Sequence, residues 1–539
     1  MMEYTLTVID ARNVQRYLFG ANELKQSLGA SELVERATHD WVFESLESIG
    51  YIHNAKDQRL EEFNGRAIEN GLTAEVLYAG GGNTAFLFKS LPEAKQFAST
   101  LTQKVLSEAP GLELAVAHLS FKWDDPDSFK NVWRNMHDYE LPRRKESQRI
   151  SSPFGGLGVT AQCVFTGLPA VGKDDSKLIS AEVKAKQNHG ANDLRLERLF
   201  PQDSYSHPRD LEKLGGDKGR ASYIAVVHAD GNGIGVRLTD YVNDGKTNRE
   251  VIERLRKLSK SINERGQEAL KAVRKALVDH IQEVEEDGRK KKIGGEVTLR
   301  GNDLPFRPVV FGGDDVTFIC DGRLGLVLAA TFLEKFSEKN LVDGKPAYAC
   351  AGVAIVHTHY PFARAYQLAD ELCKAAKKVS RKVSRDDHDD RVGSPSMLNW
   401  HYAISGMVGR WAEIHEREYL IQRDGETQDD LTLRPIQVAP VPTTADWQWR
   451  SWTQFTKLVK EFQIGDDWKK RRNKLKEARL VLREADAEIK NFTDLHGEFP
   501  EVTSLNISVR QVGWYNNRCA YFDAIEAADL CVLLEGGNK

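Results

Sequence analysis

A chain of 539 residues is longer than one ordinary core and predicts three or four domains. Hydrophobic residues at 41% and charged residues at 29% describe a soluble globular protein, and a net charge of -4 argues against coating nucleic acid through the overall field. No apolar run approaches the roughly 18 residues of a membrane span. The start lacks the basic and apolar regions of a signal peptide, so a cytoplasmic location without a membrane partner is the expectation.

In chain order, YTLTVIDARNVQRYLF (4–19) reads as an apolar strand ending at Asp10, and SELVERATHDWVFESLESI (31–49) has helical periodicity. EVLYAGGGNTAFLF (75–88) reads as strand, glycine turn, strand, and LELAVAHLSF (112–121) as a further strand. The order then recurs. YIAVVHADGNGIGVRL (223–238) is a strand ending at Asp230, residues 249–284 are strongly helical, RPVVFGGDDVTFIC (307–320) is a second glycine hairpin, and YACAGVAIVH (348–357) is a third strand.

Between the copies lies mixed loop and helix, including ISSPFGGLGVTAQ (150–162). After about residue 410 the composition shifts, and DDWKKRRNKLKEARLVLREADAEIKNF (466–492) predicts one long charged helix. The expected fold is α+β, with four units at 1–122, 123–220, 221–410 and 411–539.

The second hairpin poses an electrostatic problem. Asp314 and Asp315 are adjacent carboxylates whose repulsion costs free energy unless a cation relieves it. Pairing of the strands would bring Asp230 to the same sheet edge. Three such side chains suit hard divalent cations, Mg²⁺ or Mn²⁺, and two ions about 4 Å apart can assist in-line attack on a triphosphate. Gly312 and Gly313 permit a tight turn and close approach of a nucleotide, while Gly231 and Asn232 lie where free backbone amides can hold phosphate. The helix ADELCKAAKK (369–378) offers Lys374 and Lys377 as further cations. The plain alternatives are a surface turn and a solvated lysine face.

The six cysteines are scattered with no CxxC pair, which favours buried free thiols over disulfides or a zinc site. The dipeptides His39-Asp40, His137-Asp138 and His388-Asp389 are isolated. The basic runs 288–295 and 469–474 lack interleaved aromatics and read as solvated charge, with RNA or a partner subunit as the alternative.

The GGDD turn, Asp230, and the AD and AK pairs at Ala369, Asp370, Ala376 and Lys377 resemble the palm domains of GGDEF cyclases and of the "Cas ten" large subunit of type III CRISPR effector complexes. NELKQSLGASELVE (22–35) and GGGN (80–83) resemble that family's first palm and its degenerate turn. TGLPAV, ISAEVKAK and MLNWHYAISG are also similar to family segments. Duplication of the palm and the GGDD turn favour the CRISPR family over GGDEF cyclases.

The resemblance implies two ferredoxin-like palms, a linker and a C-terminal helical domain. It implies a polymerase-cyclase that joins ATP into 3′-5′ cyclic oligoadenylates, working with other type III subunits, guide RNA and target RNA. Asp230, Asp314 and Asp315 would be the metal and catalytic acids. Ser31, Gly81 and Gly82 would lie near an acceptor nucleotide in the acid-free palm. No HD-type nuclease activity is expected, because the sequence opens directly on the first palm. A catalytically silent scaffold and a cyclase making another cyclic nucleotide, such as cyclic di-GMP, stay open as alternatives.

Overall fold

The computed structural model describes residues 2–20, 23–56, 59–60, 66–147, 158–190, 194–201, 203–215, 222–285, 289–383, 393–404, 409–423, 428–442, 444–505 and 508–534. His388-Asp389 lies outside them.

The repeat read in the sequence is a repeat in space. The first palm is a four-stranded sheet in which the hairpin Ala74–Gly80 and Asn83–Phe88 lies beside Glu3–Arg12, followed by Glu113–Lys122. The second palm repeats that order with Phe306–Gly312, Asp315–Asp321, Tyr223–Gly231 and Ala349–His357. All these neighbours are antiparallel. Both hairpins also break register at the same place, between Val76 and Tyr78 in one and Pro308 and Val310 in the other. A shared bulge of this kind marks a duplicated backbone.

Strand alternation sorts the first palm's residues into two cores. Leu6, Val8, Ala85 and Leu87 face Phe129, Trp133 and Leu255, while Ile9, Ala11, Phe86 and Phe88 join the main core. The central strands of the second palm are buried along almost their full length, so that helices cover both faces.

The expected boundaries shift where packing continues. The helices Ser128–Asn135 and Leu141–Ser147 pack against the first palm's last strand, carrying that unit past residue 122. Ser396–Ala403, parallel to Ala349–His357, and then Ile436–Ala439 extend the second sheet past residue 410.

The helix Asn248–Asp279 runs 32 residues, about 48 Å, and starts at Thr247, whose side chain accepts from Glu250 N. The single long helix expected at 466–492 is instead two, Arg472–Val481 and Asp486–His496. The break is held by Trp514, whose Nε1 donates to Leu482 O at 3.2 Å. All six cysteines are free and buried. No helix among the described residues is long and apolar enough to cross a membrane.

The palms meet directly. Phe19 stacks on Tyr366 with ring centroids 3.7 Å apart. The two glycine turns touch, so that a Cβ added at Gly312 would lie 3.0 Å from Gly81 Cα. Glycine at position 312 is therefore a packing requirement, while Gly81 is favoured by its φ of 66°.

Candidate active site

The site forms where the first strand of the second palm ends beside the hairpin. Val316 pairs with Ala229, which leads Asp315 out toward Asp230. Gly313 takes a φ of 70° in the turn. Asp314 folds back onto the other strand end, where a Cβ on Gly231 would lie 2.8 Å from Asp314 Oδ2. Gly231 thus makes room for a carboxylate. Behind the turn, Gly266 sits in mid-helix because a Cβ there would be 2.0 Å from Gly313 O. Asn263 Oδ1 accepts from Gly313 N at 3.2 Å.

Electrostatics follow from this crowding. Burial, then the neighbouring Asp230 and Asp315, push the Asp314 carboxyl up to about 7. Burial and Asp230 raise Asp315 as well, although its side chain is 53% exposed and water screens it more. Lys377 answers the charge. Its Nζ lies 2.7 Å from Asp230 Oδ2 and donates to Gly231 O at 2.7 Å.

His228, buried two residues before Asp230, has Nδ1 3.5 Å from Asp315 and Nε2 3.8 Å from Asp370. Burial holds its imidazole below the ordinary value. The ring's hydrogen bond goes to Thr317 Oγ1, 3.1 Å from Nδ1, which fixes the imidazole between the two strands. Lys374 is largely exposed and pairs with Asp370 at 2.5 Å, one turn from Lys377.

These residues fit a divalent ion. Asp230, Asp314 and Asp315 supply carboxylates, Gly231 a carbonyl, and a lysine ammonium already stands on two of those oxygens. The acids do not close into a cage, since no group of three or more His, Cys, Asp or Glu among the described residues has metal-holding geometry. An open arrangement suits Mg²⁺, which keeps waters and takes few carboxylates besides substrate phosphates.

The first palm presents the contrasting site. By register Asn83 stands opposite Asp10, the place of the second palm's Asp315, and Gly82 stands where Asp314 does. Asp10 is buried, which raises its carboxyl, and Lys145 Nζ lies 2.5 Å from it. A cavity of about 370 Å³ lined by Ala11, Arg12, Asn13, Lys145 and Glu146 opens beside this pair. Gly81 N donates to Glu35 Oε2 and Gly82 N to Thr38 Oγ1, both at 3.2 Å.

Arg195, from the linker helix Leu194–Leu199, joins the two tips. It donates to Phe311 O at 2.9 Å and Ser31 Oγ at 3.5 Å, and pairs with Glu35 at 3.3 Å.

The structure therefore gathers Asp230, Asp314, Asp315, Gly231, Gly312, Gly313 and Lys377 at one edge, and sets Ser31, Gly81 and Gly82 across from it. The Asn232 backbone amide, expected to be free for phosphate, instead donates to Tyr348 O at 2.8 Å. The Asn232 side chain is buried and its amide donates inward to Ser394 O at 2.9 Å and Pro395 O at 3.2 Å, anchoring that segment. Sequence reasoning missed Arg195, Lys145, His228 and Gly266. Only Gly266, a glycine within a long helical run, carried a local signal.

Within the basic runs, Lys469 to Asn473 are exposed. Lys290, Lys291 and Lys292 lie on the middle strand of a small sheet, with Lys291 opposite Glu283. Lys474 is buried and donates to His496 O at 2.7 Å.

Residues 223–386 match the family model described as Cas10/Cmr2, second palm domain. The chain is similar to the crystal structure of Csm1 in T. onnurineus at 13% identity and a TM-score of 0.54, covering 98% of this chain and 70% of that one. It is similar to the Csm1-Csm4 cassette in complex with pppApA at 14% identity and a TM-score of 0.54, covering 98% and 69%. It is likewise similar to the cassette in complex with cA4 at 13% identity and a TM-score of 0.50, covering 98% and 70%. At these identities the likeness speaks for a shared fold. No curated protein matches the sequence.

Proposed function

We propose, from the premise that this chain belongs to the Cas10/Cmr2 family through its second palm at residues 223–386, that it is a metal-dependent nucleotidyltransferase converting ATP into cyclic oligoadenylates. The observation that carries this reading is the asymmetry of the turns: Asp314 and Asp315 crowd Asp230 in one palm, while Gly82 and Asn83 add no carboxylate to Asp10 in the other. The ligands named for the similar cassette structures, pppApA and cA4, agree with it in kind.

Asp230, Asp314, Asp315 and the Gly231 carbonyl would hold Mg²⁺ or Mn²⁺. Such ions, when bound, assist deprotonation of an attacking 3′-hydroxyl and neutralise the departing pyrophosphate. The rest falls to the chain itself. Lys377 is placed for the phosphates of a donor ATP, and the glycine turn lets the nucleotide lie against the backbone.

The first palm holds the acceptor nucleotide across the tip contact. Ser31, Gly81 and Gly82 lie on that side, and Lys145 lines the adjacent cavity. Arg195 fixes the spacing of the two turns, and with it the approach of hydroxyl to α-phosphorus. The partners proposed are other type III CRISPR subunits with guide RNA and target RNA. Pyrophosphate release from ATP, measured with Mg²⁺ or Mn²⁺ and with GTP as competitor, tests the reading. Release that GTP suppresses while itself being consumed would move the assignment to a guanylate cyclase.

A further inference from the structure

Two lysines occupy matching places. Lys377 stands on the helix Phe362–Val383, after the fourth strand of the second palm, and Lys145 on Leu141–Ser147, after the fourth strand of the first. Each neutralises the aspartate that ends its palm's first strand, at 2.7 Å for Asp230 and 2.5 Å for Asp10. Lys377 also takes the Gly231 carbonyl. A carboxylate oxygen with an adjacent backbone carbonyl is a pair that hard divalent cations bind. The ammonium therefore stands on oxygens that a metal ion would use.

We propose that Lys377 is an internal counter-cation, holding Asp230 and the Gly231 carbonyl until a divalent ion displaces it, and that Lys145 is its permanent counterpart on Asp10. The inference rests on reading Asp230, Asp314 and Asp315 as metal ligands. The difference in permanence comes from the turns. In the second palm an incoming ion gains Asp314 and Asp315 along with Asp230, and the combined charge outbids a single ammonium. In the first palm Gly82 and Asn83 add no carboxylate, so an ion would gain only what Lys145 already holds. Asp230 is 42% exposed and can be reached from solvent, whereas Asp10 is 17% exposed. The flexible four-carbon stem lets the Lys377 ammonium move aside without shifting its helix.

Titration of the metal-free full chain with Mn²⁺ alone, followed by electron paramagnetic resonance, tests this without nucleotide or turnover. Removing a competing ion pair of this exposure should tighten Mn²⁺ binding about fivefold in Lys377→Met. Lys377→Gln should do the same and serves if the first variant melts. Lys374→Met removes one charge a turn away without freeing Asp230, and should change affinity by less than about twofold. Lys145→Met should add no Mn²⁺ site.

Equal tightening in Lys374→Met and Lys377→Met would reduce the effect to general charge and overturn the proposal. Unchanged or weaker binding in both Lys377 variants would overturn it while leaving the metal site standing. Absence of Mn²⁺ binding in wild type and variants alike would overturn it together with the metal reading, and a new site in Lys145→Met would overturn the permanence of the first-palm pair.

Discussion

The two palms use one strand order, one hairpin bulge and one lysine–aspartate pair, yet they present opposite chemistry at their tips. In the first, Asp10 is satisfied by Lys145 and the turn beside it carries no charge. In the second, three carboxylates share one ammonium, and Asp314 is pushed up to about 7. A balanced site needs no further cation, whereas a frustrated one recruits it. Under the proposed function, a binding half and a reacting half share one backbone and differ at two turn residues, Gly82 and Asn83 against Asp314 and Asp315.

The contrast is broken most severely by Asp314→Ala/Asp315→Ala. Loss of the metal site should lower pyrophosphate release from ATP about 10³-fold, worth ~4 kcal/mol of barrier. Asp10→Asn should cost far less in the same assay, because Gly82 and Asn83 add no carboxylate beside Asp10.

Next comes packing behind the turns. Gly266→Ala would drive a Cβ into Gly313 O and should cost about 3 kcal/mol of stability, read from the denaturation midpoint. On the first palm, Thr38→Ala removes a buried methyl and a hydroxyl that accepts from Gly82 N and donates to Val34 O, and should cost about 2 kcal/mol.

The link between the palms should respond more mildly. Arg195→Ala and Glu35→Ala should each slow turnover about tenfold, with ATP binding little changed. The double variant should be no slower than either single one, as a double-mutant cycle will reveal. Additive losses would mean that the two residues act separately.

The smallest effect sharpens the electrostatic side. The folded metal-free protein holds the Asp314 proton up to about 7, whereas the ordinary carboxyl releases it near 3.8. A raised carboxyl favours the folded state fully below the ordinary value, and that contribution is lost as pH climbs toward 7. Asp314→Asn should therefore stabilise the metal-free protein by about 1 kcal/mol at pH 8, once solvent screening is allowed for, and leave it unchanged near pH 4. Thermal melts in chelator at both pH values measure it.

Much of this is legible in the chain. Strand, hairpin and strand recur with glycines and acids at fixed places, and that pattern marks Asp230, Asp314 and Asp315 as neighbours; it offers Lys374 and Lys377 alike, and packing sets only Lys377 on Asp230. Residues that act across the fold are not legible. Arg195 lies on a short linker helix, and its partners Phe311, Ser31 and Glu35 are distant in sequence. Lys145 lies in the last of three consecutive short helical segments, whereas Lys377 lies in one long helix, which hides their equivalence. Asn232 reads as a free backbone amide at a strand end, because sequence does not show that the Tyr348 carbonyl, distant along the chain, takes its N–H.

The central claim is that the second palm alone performs nucleotidyl transfer on ATP. Its most direct test is mass spectrometry of the products formed from ATP and Mg²⁺ or Mn²⁺, with the cognate guide complex and target RNA present. The account predicts cyclic oligoadenylates from the wild-type chain and none from Asp314→Ala/Asp315→Ala. A wild-type chain that stays silent under those conditions, or a variant that still makes the product, would contradict it.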